Sequence, residues 1–469
     1  MGGLTSPGRA TVAVGLLMAI WWVTEALPLP VTSLLPLVLF PVFGVLPIDA
    51  AAAPFANDLI FLFMGGFMLA LTLQRWGLHR RIALRVVRAV GTKPTRVVGG
   101  FMIATAFLSM WVSNTATAVM MLPVGVSVLG LALDPDGKKD IGELTGAGAS
   151  NFATALMLGI AYAASIGSLA TLIGTPPNVF LAAFISENYD ISLGFGQWML
   201  VGLPLSIVFL GIAWFVLTKL LFRPGDEAIE GGREFIDAEL SAMGPMSRGE
   251  KTVGIVFVVT ALAWVFRDVY TNLLDGILPG IAGLSDAGIA VAAGIALVLI
   301  PVDRSRGVFT LDWDTASQLP WGVLLLFGGG LSLAAAVKTN EVDVYVGRQV
   351  EGLASVPTVV LVLVVAAVVL FLTELTSNTA TAAALLPIMA GVAVGIGASP
   401  LLLAIPAALA ASCAFMLPVA TPPNAIVFGS GHVTIGQMVR GGALLNAAGV
   451  VLITVAVYAL AVPVFGLSL

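Results

Sequence analysis

Ser-Asn-Thr-Ala-Thr-Ala occurs twice in this chain of 469 residues, at Ser113–Ala118 and Ser377–Ala382, each time inside a long apolar stretch. A proline follows each copy (Pro123, Pro387), and further on each is followed by Thr-Pro-Pro-Asn, at Thr175–Asn178 and Thr421–Asn424. One such patch alone reads as helix capping, since Ser, Asn and Thr cap helix starts and Pro suits the first turn. Two patches, each paired with the same second motif, need more than capping. The shift of 264 residues that places Ser113 on Ser377 also carries Phe63-Met64-Gly65-Gly66 onto Phe327-Gly328-Gly329-Gly330, and Leu69-Ala70 onto Leu333-Ala334. One shift over two regions marks an internal repeat. The downstream motif shifts by 246, so the second copy is shorter between its two motifs.

The chain is 59% hydrophobic and 10% charged. Apolar runs of about 20 residues, enough to cross a bilayer, recur along it. They do not alternate as barrel strands do. The fold class is therefore all-α and polytopic, in a membrane. A net charge of −5 gives no basis for nucleic-acid binding, and the single cysteine, Cys413, excludes an intrachain disulfide. His79 and His432 are far apart and read as loop residues, without metal chemistry. Residues 1–30 lack a small-x-small cleavage site and do not read as a signal peptide.

Apolar segments fall at 11–27, 31–47 and 57–75. Gln74–Arg96 then carries Arg75, Arg80, Arg81, Arg85, Arg88, Lys93 and Arg96 among apolar residues, the pattern of a basic amphipathic helix on the inner membrane surface. Three spans ending inside place the start of the chain outside. Residues 97–133 are broken at Ser113–Thr117 and flanked by basic residues on both sides (Lys93/Arg96, Lys138/Lys139), which predicts a re-entrant hairpin with the Ser-Asn-Thr patch at its tip. Residues 149–185 cross outward with a break at Gly174–Asn178, where Pro176 and Pro177 remove two backbone donors. Residues 198–222 return inward, and 223–251 is a basic connector. The second half runs through 252–266, 285–300, 320–337, a broken segment at 355–396, a broken crossing at 400–430 and a last span at 439–463. Of the 21 Lys and Arg, only Arg9, Arg267, Lys338 and Arg348 fall outside in this topology. It gives the two repeats opposite orientations, the inverted-repeat architecture of many secondary transporters.

In that architecture the two tips meet near the midplane and face the two broken helices. Half-helix N-termini attract anions and free carbonyls attract cations. Ser, Asn and Thr donate to a carboxylate and also offer oxygen to a hard cation. None of the four broken stretches contains Lys or Arg. A small dianion bound there needs co-bound cations to offset it, and sodium suits carbonyl and hydroxyl oxygens. Glu25 and Glu374 lie in apolar segments; Glu25 is read as sitting at the interface and Glu374 as support for the second cation site. Trp21, Trp22, Trp76, Trp198 and Trp264 fall near span ends and read as an interfacial belt. No His-Glu-x-x-His or Gly-x-Gly-Asp motif points to an intramembrane hydrolase.

From about Trp21 to Gly441 the chain resembles the divalent-anion:sodium symporter family of dicarboxylate, citrate and sulfate transporters. The resemblance rests on Trp22-Val23-Thr24-Glu25-Ala26-Leu27-Pro28, both Ser-Asn-Thr motifs, both Pro-Pro-Asn motifs and the stretch from Ala420 to His432. It implies a homodimer in the plasma membrane that works as an elevator, without enzymatic activity. A scaffold (1–92 and 250–352) would carry a moving transport domain (93–222 and 353–469), joined by a cytoplasmic connector (223–249). The transport domain would comprise re-entrant hairpins at 95–133 and 355–396 and broken helices at 149–185 and 400–430. One sodium site would use Ser109, Ser113, Asn114 and Gly174, the other Thr373, Thr376, Asn378 and Ala420. The substrate would meet Ser113, Asn114, Thr115, Thr175, Ser377, Asn378, Thr379 and Thr421. Members of that family usually carry a further scaffold span ahead of the one starting near Thr11, and the sequence here departs from that pattern. The function implied is sodium-coupled uptake of C4-dicarboxylates, with sulfate or citrate symport, or dicarboxylate exchange, as alternatives.

Overall fold

The structure, a computed structural model, describes residues 4–133, 151–225, 229, 231–274, 277 and 280–468. Lys138 and Lys139, one basic flank of the first hairpin, lie outside the described residues. Among those residues eight helices are long and apolar enough to cross a membrane, and the pair Arg248–Val265 and Arg267–Leu274, bent by 72°, makes a ninth if taken as one span. Among the described residues the one β element is a small antiparallel hairpin, Pro301–Asp303 with Val308–Phe309.

Two helices occupy the centre. Every residue of Phe152–Ser168 and of Leu401–Ala411 is buried. Around them lie the two helix pairs that carry the repeated motif: Pro94–Ser109 with Asn114–Leu133, and Thr358–Thr373 with Asn378–Gly395. The glycines of the upstream repeat are sites of close helix approach. A Cβ on Gly65 would stand 2.4 Å from the Ala290 carbonyl oxygen, and one on Gly329 would stand 2.1 Å from that of Ser33. Only glycine lets the helices Asp58–Arg75 and Trp321–Thr339 pack this tightly.

Leu29–Val42 is shorter than the predicted span 31–47, and Asp286–Leu299 is equally short. At about 1.5 Å per residue, 14 residues reach roughly 21 Å, less than a hydrocarbon core of about 30 Å. The basic helix runs from Leu78 to Val90, but its apolar face is covered by protein rather than left for lipid: Ala83, Leu84 and Val87 are buried. Arg81 points the same way and is held by Glu250 at 2.6 Å and by the Gly244 carbonyl at 2.9 Å. His79 belongs to this helix rather than to a loop, whereas His432 lies in a loop and is buried.

The tryptophan belt is corrected at three positions. Trp22, Trp198 and Trp264 are fully buried, each with its indole N–H satisfied inside the protein. Trp22 donates to Ser33 Oγ at 3.2 Å, Trp198 to the Leu169 carbonyl at 3.1 Å and Trp264 to the Asp286 carbonyl at 3.0 Å. A buried indole needs such a partner, and each found one within the fold.

Candidate functional site

Each helix pair is joined by four residues. Met110–Ser113 link the first pair and Glu374–Ser377 the second. The links lie one turn upstream of the predicted break at Ser113–Thr117, because the motif itself starts a helix. Ser113 Oγ accepts the Ala116 N–H at 3.3 Å, so the capping chemistry is present as well.

The broken helices show the same displacement. The first stops at Ser168 and restarts at Pro176; the second stops at Ala411 and restarts at Pro422. The Pro-Pro-Asn motifs therefore lie in the first turn of each second half, where a missing N–H costs nothing. The breaks are the stretches just before them. Gly174 sits in the first, where a Cβ would come 2.3 Å from the Ser168 carbonyl oxygen. Asn178 closes that break by donating to the Thr171 carbonyl at 2.9 Å, and Asn424 closes the other by donating to the Leu417 carbonyl at 3.0 Å.

Ties between hairpin and broken helix repeat across the pseudosymmetry. Ser109 Oγ donates to the Ala164 carbonyl at 2.5 Å, and Thr373 Oγ1 to the Ala411 carbonyl at 2.9 Å. A second tie conserves the positions while swapping which partner supplies the side chain. In the first repeat Thr171 Oγ1 donates to the Met110 carbonyl at 2.5 Å. In the second, Glu374 stands in the place of Met110 and Leu417 in that of Thr171, and the Leu417 N–H donates to Glu374 Oε2 at 3.1 Å. Glu374 Oε1 also accepts from Phe415 N, Met416 N and Asn446 Nδ2 at 2.7–2.9 Å. Glu374 is thus the peg on which the second break hangs.

Both tips and both breaks line one cavity of about 970 Å³. All eight residues named for the substrate are in its wall: Ser113, Asn114, Thr115, Thr175, Ser377, Asn378, Thr379 and Thr421. Of the residues named for the cations, Gly174, Thr376 and Ala420 join Ser113, Asn114 and Asn378 there. Ser109 and Thr373 do not line it. They lie one turn behind, fully buried, with their hydroxyls on the carbonyls described above; Thr373 Oγ1 also reaches Asn378 Oδ1 at 2.8 Å.

Four helices begin at this wall: Asn114–Leu133, Pro176–Tyr189, Asn378–Gly395 and Pro422–Gly429. Each brings a positive dipole end, although the two Pro-Pro starts carry no N–H in their first two positions. The helices that end at Ser109, Ser168, Thr373 and Ala411 bring carbonyl ends to the same region. Among the described residues the wall contains no Lys or Arg. It can attract an anion and a cation together, through main-chain dipoles and neutral side chains.

Sequence reasoning missed the rest of the wall. Glu25 lines it too, the one ionisable side chain there among the described residues, with its backbone in the left-handed region at φ 49°. Phe63, Phe67, Val323, Leu375 and Val419 add apolar surface. Phe63 carried a signal, since it leads the repeated glycine motif; Leu375 and Val419 carried none.

A family model described as the sodium:sulfate symporter transmembrane region matches residues 2–467. A protein of Staphylococcus saprophyticus named sodium-dependent dicarboxylate transporter SdcS is 42% identical over 99% of this chain and 88% of its own length. The SdcS of Staphylococcus aureus strain USA300 is 40% identical over 98% and 88%. Among solved structures, Neisseria gonorrhoeae MtrF aligns with a TM-score of 0.61 at 15% identity, over 98% of this chain and 97% of that one. The Alcanivorax borkumensis YdaH transporter aligns with a TM-score of 0.58 at 16% identity, over 98% and 100%. These two likenesses concern the fold. Paired tips, paired breaks and a full-length family match agree: the chain belongs to the divalent-anion:sodium symporter family, multi-pass transporters of the plasma membrane.

Proposed function

We propose that this protein is a sodium-coupled importer of C4-dicarboxylates such as succinate, malate and fumarate. The observation that carries the reading is the cavity whose wall joins both tips and both breaks without a basic side chain. A dianion in such a site is uncompensated, and an unpaired charge away from water costs several kcal/mol or more. Bound sodium ions offset it. One cation is held by Ser113, Asn114 and Gly174 with Ser109 behind them, the other by Thr376, Asn378 and Ala420 with Thr373 behind them. Asn114, Thr115, Asn378 and Thr379 hold the carboxylates between them, with Ser113, Ser377, Thr175 and Thr421 beside, and the apolar wall takes the methylenes. The SdcS names support both the substrate class and the coupling ion.

In this reading residues 95–133 and 355–396 are re-entrant hairpins. The transport domain, 93–222 and 353–469, slides as an elevator against a dimeric scaffold, 1–92 and 250–352, with 223–249 as the connector. The cavity wall takes Val23, Thr24, Glu25, Pro320 and Val323 from scaffold segments, so sliding would change what the tips face.

Uptake of labelled succinate into proteoliposomes tests this. An inward sodium gradient should drive accumulation, and potassium in its place should not. Excess sulfate and citrate outside, and succinate inside, separate the other symport and exchange mechanisms. Asn114→Ala and Asn378→Ala should each lower sodium-driven uptake at least 10-fold in protein that still elutes as the wild type. Wild-type uptake in both variants removes the tips from the mechanism.

A further inference from the structure

Arg85 and Arg88 of the helix Leu78–Val90, Arg96 of the helix Pro94–Ser109 and Arg233 of the helix Gly232–Ala242 converge on an open cleft of about 540 Å³ floored by Ala89, Val90 and Gly91. It lies apart from the transport cavity and shares no residue with it. Arg88 is paired with Asp237 at 2.6 Å; Arg85, Arg96 and Arg233 have no acidic partner among the described residues. Ile229 N donates to the Thr92 carbonyl at 3.0 Å, which pins the connector to the bend between the first two helices and fixes the third wall. Arg96 and Arg233 each sit in the first turn of a helix, where a positive side chain meets the positive dipole end. Three guanidinium groups without an acidic partner, gathered beside a fourth paired with Asp237, repel one another unless an anion lies between them. Their planar forks match phosphate oxygens two at a time.

The helix that carries Arg96 indicates where that phosphate comes from. Ile103 and Phe107 follow Arg96 at seven and eleven residues, on the same helical face, and both are exposed. The face therefore reads as cationic at one end and apolar beyond it, the order of a lipid headgroup and its acyl chains. We propose that the cleft holds the phosphate headgroup of an anionic phospholipid whose acyl chains lie along the Arg96–Ile103–Phe107 face.

The test is native mass spectrometry of the full-length protein with phosphatidylglycerol, phosphatidylcholine or glycerol 3-phosphate, a readout independent of transport. Phosphatidylglycerol should be retained in preference to phosphatidylcholine. The triple variant Arg85→Gln, Arg96→Gln, Arg233→Gln should retain it on the order of 100-fold more weakly. The triple Lys variant, which keeps the charge without the fork, should fall between. Arg348→Gln, a basic residue that does not line the cleft, should match the wild type, and Ile103→Asn should weaken lipid but leave glycerol 3-phosphate unchanged. Equal phosphatidylglycerol retention by wild type and the triple Gln variant overturns the site. Glycerol 3-phosphate bound as tightly as the lipid overturns the lipid as its occupant.

Discussion

Thr376 and Thr381 share a hydrogen bond of 2.6 Å across the second tip, and the first repeat has Val112 and Thr117 in their places. Thr117 Oγ1 is therefore a fully buried hydroxyl without a protein partner. A buried hydroxyl left unsatisfied costs about 1–3 kcal/mol, while a restored bond returns about 0.5–1.5 kcal/mol. Val112→Thr should raise the unfolding temperature of the detergent-solubilised protein, and Thr376→Val should lower it by orphaning Thr381. Because Thr376 also faces the cavity, Thr376→Val should raise the sodium concentration needed for half-maximal uptake. A lower unfolding temperature in Val112→Thr, or a higher one in Thr376→Val, would show that the two tips do not obey the same hydrogen-bond logic.

Glu374→Gln should lower stability by about 3 kcal/mol, since hydrogen bonds to a charged acceptor are the strong ones and the new amide would aim N–H groups at N–H donors. Phe415–Leu417 would lose their anchor, so hydrogen exchange in that stretch should rise before exchange elsewhere does. Unchanged protection at Phe415 and Met416 would show that the break holds without its peg.

At Gly174 the close approach to Ser168 leaves no room for a methyl group. Gly174→Ala should cost about 1–3 kcal/mol through overpacking and displace the carbonyls of the first break. Sodium dependence should weaken more than maximal uptake at saturating sodium. A variant that melts and transports as the wild type would mean the break yields easily.

His79 lies outside the spans, and burial lowers its pKa, partly opposed by its hydrogen bond to the Leu73 carbonyl and aided by neighbouring Arg80. A folded pKa below the unfolded value means that its contribution is intact above about pH 6.5 and is lost as pH falls toward the folded value. The wild type should lose unfolding temperature between pH 7 and pH 5, and His79→Gln should lose less. Parallel curves for the two proteins would assign the acid sensitivity to other groups.

The register of Ser113 with Ser377 makes the pairing of the motifs readable in the sequence itself, and all eight residues that the resemblance implies for the substrate line one cavity. Less legible was where each helix stops. Proline beside Gly174 read as the break, yet a first-turn proline starts a helix as readily as it ends one. The surroundings of Ser109 and Thr373 were less legible, because each hydroxyl donates to a carbonyl 55 or 38 residues away. Trp22, Trp198 and Trp264 misled because position near a span end does not reveal whether an indole finds a buried acceptor. Glu25 needed the fold, since nothing local says that a residue of the first helix reaches the tips.

The ring of helix starts around the cavity has a consequence for how acidity governs this transporter. Backbone amides neither gain nor lose a proton in the physiological range, and Asn, Ser and Thr are equally inert. Outside Glu25, then, the receptor wears one electrical face at every pH. The acid–base profile of uptake should track dissociation of the travelling solute, its second carboxyl above all, rather than any change in the amide and hydroxyl groups that surround it.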